Sequence, residues 1–245
     1  VVIPAGSGSL SLTERDAAGL VFTGEMYGLQ VDQLAALLDL TARGAGTLVS
    51  RWTGRGLAGS AALGPGPPWV WLTRAGLQAC GLRYQATPPA LSRLAHLRAV
   101  TAVRLALEAA PGYAGGGAHW RSERRLRSHV GGRLGSREHL PDAEVHWPEE
   151  SGLAWAGECW AIEAELAPKT VSRTTAIMRE LLARTGDYGC PADQARVPRL
   201  PARHARAIYL CSPEAGRTVT RARAALGSLA VRVEIRALPA SAAWP

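Results

Sequence analysis

Leu140-Pro141-Asp142-Ala143-Glu144-Val145-His146-Trp147 and, some twenty residues on, Trp160-Ala161-Ile162-Glu163-Ala164-Glu165-Leu166-Ala167-Pro168-Lys169 are the stretches that decide the fold. The second alternates with a period of two: Trp160, Ile162 and Ala164 fall on one side, Ala161, Glu163 and Glu165 on the other. That spacing predicts the end of a strand running over Leu153 to Leu166. Two carboxylates therefore share a face, and Asp142 can reach them from a neighbouring strand that carries the alternating Glu144-Val145-His146-Trp147. Like charges this close repel unless a cation lies between them. A hard divalent ion with oxygen ligands, Mg²⁺ or Mn²⁺, resolves the repulsion and leaves room for water and a phosphate oxygen. Asp142, Glu163 and Glu165 are the expected metal ligands, with Lys169 or an arginine near Glu123 stabilising a charged transition state. A strand with two glutamates on a solvated face is the plain alternative.

Working outward, Trp120 to His129 reads as a strongly charged helix containing Glu123, Arg121, Arg124, Arg125 and Arg127. Ser172 to Arg184 reads as a helix, Ala207 to Cys211 as a buried strand, Pro213 to Leu226 as a helix, and Val231 to Ile235 as a last strand. Thr185 to Arg206, rich in Pro and Arg, reads as loop. The second half is expected to be an α/β sheet domain.

The first half differs. Val1 to Ser9 is expected to be a loose arm. Ser11-Leu12-Thr13-Glu14-Arg15-Asp16 offers a helix cap and early acids, followed by Ala17, Leu20 and Val21 at helical spacing. Gly28-Leu29-Gln30-Val31-Asp32 opens a second short helix with Leu34, Leu37 and Leu38 on one face. After the Gly44-Ala45-Gly46 break, Thr47 to Leu57 is a third, with Arg51 and Arg55 outward. A Gly64-Pro65-Gly66-Pro67-Pro68 hairpin tip leads to the strand Trp69 to Leu72, and Thr73-Arg74 starts a closing helix that ends near Cys80. Short helices followed by a hairpin are the order of a winged helix, in which the third helix enters a DNA groove and the wing follows the backbone. Arg51, Arg55 and Arg74, with Arg121, Arg124 and Arg125, are the expected DNA-binding residues. A protein-packing module with a solvated arginine face is the alternative. Leu91 to Ala110 reads as an amphipathic linker helix, and the Gly-rich stretch Pro111 to Gly117 as a break. The expected organisation is a DNA-binding domain over 10–86, a linker over 87–112 and a sheet domain over 113–240.

Composition agrees. Among 245 residues, 28 are Lys or Arg and 20 Asp or Glu, a formal net charge of +8, which favours a polyanionic partner. Hydrophobic residues make up 47%, enough for a core and too many for a disordered chain. No apolar run reaches membrane-spanning length, and no secretory signal is visible, so a soluble cytoplasmic protein without membrane insertion is expected. Lys169 is the single lysine in a chain that otherwise uses arginine, which suggests a need for its compact ammonium. Cys80, Cys159, Cys190 and Cys211 form no Cys-x-x-Cys pair, so neither a structural zinc site nor a disulfide framework is expected. The six histidines make no His-x-His pair. His139 and His146 flank Asp142 and could assist a metal or a phosphate, although an ordinary surface or core role is the more common one. Tyr188 lacks an activating neighbour and Tyr209 sits in a buried-strand pattern, which argues against a tyrosine nucleophile. The absence of a Walker-type loop argues against an NTPase.

Pro-Asp, Glu-x-Glu and a downstream Lys between strands resemble the PD-(D/E)XK restriction-endonuclease-like fold. Together with "WLTRAGLQACG", "WRSERRLR", "LPDAEVHW" and "WAIEAELAPKT", in that order, the chain is similar to the actinobacterial replication-relaxation family and, through it, to MobC-class plasmid relaxases. The resemblance implies an α+β protein: a winged helix-turn-helix followed by a PD-(D/E)XK nuclease-like α/β domain with a central mixed sheet. It implies a Mg²⁺- or Mn²⁺-dependent DNA nickase acting at a mobile-element origin of transfer or replication. Carried over by position, the catalytic residues are Glu123, Asp142, Glu163 and Glu165, with Lys169. In the usual motif a lysine stands where this chain has Glu165, and Lys169 lies four residues further on. A catalytically inactive DNA-binding accessory protein for plasmid replication or mobilisation is therefore the alternative expectation. Partners expected are double-stranded DNA, single-stranded DNA at the nick, a second copy in a homodimer, and mobilisation or translocation machinery.

Overall fold

Thr13 starts the first helix: its side chain accepts a hydrogen bond from the Asp16 amide, and Asp16 Oδ2 accepts from the Thr13 amide and hydroxyl. This reciprocal cap satisfies donors that a helix start would leave open. The structure is a computed structural model that describes residues 12–130, 139–185 and 203–242. It divides into two compact units, the first running to Leu105 and taking in Ala242, the second spanning Ala106–Ser241. The expected arm at Val1 to Ser9, together with Tyr188 and Cys190, lies outside the described residues.

In the first unit, α1 (Glu14–Glu25) is followed by α2 (Val31–Leu37) and α3 (Ala42–Gly54). The third helix begins five residues before the expected Thr47 and ends at Gly54 rather than Leu57. The Thr41 hydroxyl caps the Gly44 amide, and burial of Ala45, Leu48, Val49 and Trp52 outweighs the cost of about 1 kcal/mol for each interior glycine. Three strands, β1 (Leu29–Gln30), β2 (Ala58–Ala61) and β3 (Trp69–Leu72), pair antiparallel in the order β1-β3-β2. The hairpin tip joins β2 to β3 as its Gly/Pro composition predicts. The two-residue β1 was hidden in what read as a helix start. Next come α4 (Arg74–Ala79), capped by Thr73, and α5 (Leu94–Glu108). Gly76 is required by contact: a Cβ there would sit 2.0 Å from the Leu57 carbonyl oxygen. The core contains Leu20, Leu29, Leu34, Trp52, Leu57, Trp69 and Leu77, all nearly inaccessible.

The second unit contains α6 (Pro111–Gly115), β4 (His119–Ser122), α7 (Glu123–Val130), β5 (Ala143–His146), β6 (Cys159–Glu165), α8 (Val171–Ala183), β7 (Arg206–Cys211), α9 (Pro213–Ala224) and β8 (Val233–Ala237). The five strands lie in sequence order, β4-β5-β6-β7-β8; the β4–β5 and β5–β6 pairings are antiparallel, and β6–β7 and β7–β8 are parallel. The parallel steps are bridged by α8 and α9, as crossovers require. The molecule is thus a mixed α+β protein with a mixed five-stranded sheet.

Boundaries in this unit also differ from the sequence expectation, among them the last strand, which begins at Val233 rather than Val231 and runs to Ala237. The charged stretch over Trp120 to His129 is not one helix: His119–Ser122 forms an edge strand, where Trp120 and Ser122 are buried, and the helix begins at Glu123. The strand expected over Leu153 to Leu166 begins only at Cys159, because Ala156, Gly157 and Glu158 form turns that return amides to Leu153, Trp147 and Trp155. Part of the Gly-rich break is helical, with Pro111 in the first turn.

One face of the sheet packs Ala161, Ala207, Tyr209, Cys211 and Val233 against Ile177, Met178, Leu181 and Leu182 of α8 and Ala215, Val219 and Ala222 of α9. Elsewhere in this unit, Trp147, Trp155 and Trp160 pack with ring centroids 5.0–5.7 Å apart, and Tyr113 sits edge-on to Trp147. Among the described residues no helix is long and apolar enough to cross a membrane.

Candidate functional site

Alternation along β6 puts Cys159, Ala161, Glu163 and Glu165 on one side of the sheet. Tyr209 pairs in register with Glu163, and Cys211 with Glu165. Ala143 pairs with Ile162 in the antiparallel β5–β6 ladder, so Asp142, one residue before it, comes opposite Glu163. Both acids of the proposed pair thus sit on the same side of the sheet. The Asp142 carbonyl accepts a 2.9 Å hydrogen bond from the Glu123 amide, which ties the start of α7 to the same corner.

The side chains are engaged individually. Asp142 Oδ2 accepts from the Ala164 amide at 2.9 Å. Glu163, 3% exposed, has its Oε1 2.7 Å from His139 Nε2, and the His139 amide donates to Glu180 Oε1 on α8. Glu165, 5% exposed, is paired through Oε1 with the Lys169 ammonium four residues on. Glu123 is buried and holds Arg127 through Nε and a terminal nitrogen at 2.9 and 2.7 Å. Lys169 therefore folds back to Glu165 at the end of β6. Asp142, Glu163 and Glu165 do not bring three ligand atoms within 4.8 Å of one another; among the described residues the group that does is Glu144, Cys159 and His204.

Burial pushes the Glu163 carboxyl up to about 7, and the neighbouring Asp142 adds to the rise, against the opposing pull of His139 and Lys169. For His139, burial disfavours the charged ring, but the hydrogen bond and charge of Glu163 prevail and raise its pKa. Tyr209 is fully buried and its hydroxyl has no hydrogen-bond partner among the described residues. Burial, followed by Glu163 and Glu165, holds that phenol well above its ordinary value. A buried hydroxyl without a partner beside three carboxylates is a place where a bound cation with its water would restore the balance.

The second cluster was not anticipated. Glu144 is fully buried and receives both a terminal nitrogen of Arg203 at 2.8 Å and the Arg203 Nε. It also meets His204 Nε2 at 2.9 Å, His146 Nε2 at 3.0 Å and Arg121 at 3.5 Å. Burial alone would raise its pKa, but His146, His204 and Arg203 hold it well below the usual carboxylate range. His204 Nδ1 donates to the Leu181 carbonyl, fixing the ring. Cys159 Sγ lies 3.6 Å from His146 Nε2, and burial pushes its thiol far up. Glu144, Cys159 and His204 could hold a metal ion. Cysteine spacing could not foresee this, because a residue from β5, one from β6 and one just before β7 meet only after folding. The one available signal was Glu144, two residues from Asp142 and so on the same side of its strand.

The expected DNA-binding arginines are dispersed. Arg55, at the C-terminal end of α3, and Arg74, the first residue of α4, are exposed. Arg51 on α3 is half exposed, but its guanidinium pairs with the buried Asp16. Arg121 lies on β4 beside Glu144, Arg124 on α7 is buried, and Arg125 is exposed. No protein-family model matches the chain, and no curated protein matches it.

Proposed function

We propose that the protein is a metal-dependent DNA nickase of the relaxase kind, with a winged-helix unit that engages duplex DNA and a PD-(D/E)XK-like unit that cuts one strand. The observation that carries this reading is the corner in which Asp142 comes opposite Glu163 while the only lysine reaches back to Glu165. The donors suit a hard cation: buried carboxylates, one with a strongly raised pKa, beside a tyrosine hydroxyl that lacks a partner. A bound Mg²⁺ or Mn²⁺ would supply charge neutralisation at a phosphate oxygen and a more acidic water. Asp142 and Glu163 would hold it from adjacent strands. Glu165 keeps the Lys169 ammonium in place, where it offsets charge that develops on the transferring phosphate. Glu123, with its amide on the Asp142 carbonyl, positions that aspartate.

Three short helices and a three-stranded antiparallel sheet with a Gly/Pro tip support the winged-helix reading, and the net charge of +8 suits DNA. Exposed Arg55 and Arg74 are the leading phosphate contacts. The mobile-element origin, and a mobilisation apparatus as partner, rest on the family resemblance.

The test is conversion of supercoiled plasmid carrying the encoding element's own origin to open circles in Mn²⁺. Wild-type protein is expected to nick it, and Glu163→Gln to bind it without nicking. A second reading, an accessory protein that binds without cutting, is favoured by the engagement of the Asp142 carboxylate with the Ala164 amide. Salt-sensitive binding with no nicking in either metal would establish it.

A further inference from the structure

Glu144, Cys159 and His204 come from three pieces of chain, β5, β6 and the residues just before β7, and each offers one donor atom within 4.8 Å of the other two. The sheet ladders set this meeting. Cys159 pairs with His146 and Ala161 with Glu144, so Cys159 and Glu144 share one side of the sheet. The Ala205 amide donates to the Cys159 carbonyl, which brings His204 alongside. Between Cys159 and Glu163 on β6, Ala161 contributes only a methyl group.

The His204 ring is oriented for a ligand. The Leu181 carbonyl can only accept, so His204 Nδ1 carries its proton there, and Nε2 is the atom turned to the cluster, 2.9 Å from Glu144 Oε1. A nitrogen lone pair that close to a carboxylate oxygen needs a positive centre between the two, a proton or a metal ion. A backbone carbonyl on the remote nitrogen is the usual way a protein fixes a metal-binding imidazole. Both side chains are fully buried, so no bulk water screens the pair.

We propose that Glu144, Cys159 and His204 form a zinc site, with a carboxylate oxygen, a thiolate and an imidazole nitrogen as the protein ligands and water in the fourth position. This centre is separate from the Asp142–Glu163 corner and does not depend on the nickase reading. Thiolate and imidazole suit borderline-soft Zn²⁺ better than Mg²⁺ or Mn²⁺. Bond lengths of about 2.3 Å to sulfur and about 2.0–2.1 Å to nitrogen and oxygen set tetrahedral donors about 3.3–3.6 Å apart. The three atoms therefore close by no more than about 1.5 Å, within the reach of side-chain rotation. The thiol gives its proton to solvent as the sulfur–zinc bond forms, and thiolate plus carboxylate balance the two charges of the ion. Arg203, which binds both oxygens of Glu144, remains as the hydrogen-bonding partner that a ligating carboxylate ordinarily has. His146 Nε2, 3.6 Å from the sulfur on a partly exposed ring, borders the fourth position. Such a centre clips β5 and β6 to the entry of β7 and stabilises the folded sheet by mass action.

The experiment is Zn²⁺ titration of the tag-free, chelator-stripped full chain, followed by X-ray absorption at the zinc edge. Wild-type protein is expected to take up one Zn²⁺ with one sulfur at about 2.3 Å and its other neighbours at about 2.0–2.1 Å, and to gain several degrees in thermal midpoint. Co²⁺ in its place should show a thiolate charge-transfer band that disappears in Cys159→Ser. His204→Gln, checked for native circular dichroism, should weaken Zn²⁺ binding at least about tenfold. Glu163→Gln should keep the zinc. Four results overturn the proposal: no Zn²⁺ uptake, a zinc shell with no sulfur or with two, a charge-transfer band that survives in Cys159→Ser, or loss of the zinc in Glu163→Gln. The absorption measurement needs only wild-type protein, so it decides the matter even where a variant fails to fold. Zinc held in this way by a protein that never nicks DNA upholds the site and removes only the nickase.

Discussion

At the scale of single residues, the chain concentrates its electrostatic work on a few buried acids. Asp16 caps α1 and also accepts from Arg51 and Trp52, 35 and 36 residues further along. Burial alone would raise its pKa, but the hydrogen bonds from Trp52, Thr13 and Arg51 outweigh that and hold it at about 2. Because the folded value lies below the unfolded one, its stabilisation is present above about pH 4 and is lost as pH falls towards 2. Asp16→Asn is expected to cost about 2 kcal/mol at neutral pH and to flatten the acid limb of a denaturant-measured stability profile. An unchanged limb would show that Asp16 gains nothing on folding. In the second unit, Lys169→Met should lower nicking by about a hundredfold while Mn²⁺ binding persists, since the ammonium is assigned to the phosphate rather than the metal. Equal loss of metal binding would place Lys169 in a purely structural role.

At the scale of elements, two substitutions on or beside α3 separate folding from recognition. Arg55→Ala, on an exposed residue, should weaken DNA binding at all sequences and reduce the salt slope by about one, with thermal stability unchanged. Arg51→Ala should lower both affinity and stability, because it leaves the buried Asp16 with one partner fewer. Identical melting temperatures for the two variants would contradict that distinction. Gly76→Ala places a methyl group against the Leu57 carbonyl oxygen and should cost about 3 kcal/mol, read as a large fall in thermal midpoint. Elements with strong local signals were legible from sequence: the Gly/Pro tip, the alternating Trp160 to Glu165, and the buried Ala207 to Cys211. The edge strand at His119–Ser122 was not, because charged residues at its exposed end and in the following helix masked two buried positions. Nor was the early start of α3, where tertiary burial overrode glycine.

At the scale of the whole molecule, what was legible was a two-part chain and one acidic face, and what was not was how its ligand atoms meet. Glu163 and Glu165 could be assigned to one side of the sheet from alternation, whereas the register that sets Asp142 opposite Glu163 comes only with the fold. The arginine–histidine surround of Glu144 could not be foreseen, since Arg203 and His204 are 59 and 60 residues away and carry no local pattern. His139 was visible as a neighbour of Asp142, but only folding sets its ring against Glu163. The central claim is a cation held between Asp142 and Glu163, and crystals soaked in Mn²⁺ test it through the anomalous difference map. The account predicts a peak about 2.2 Å from carboxylate oxygens of both residues; a peak seated solely between Glu144, Cys159 and His204, or none at saturating Mn²⁺, would contradict it.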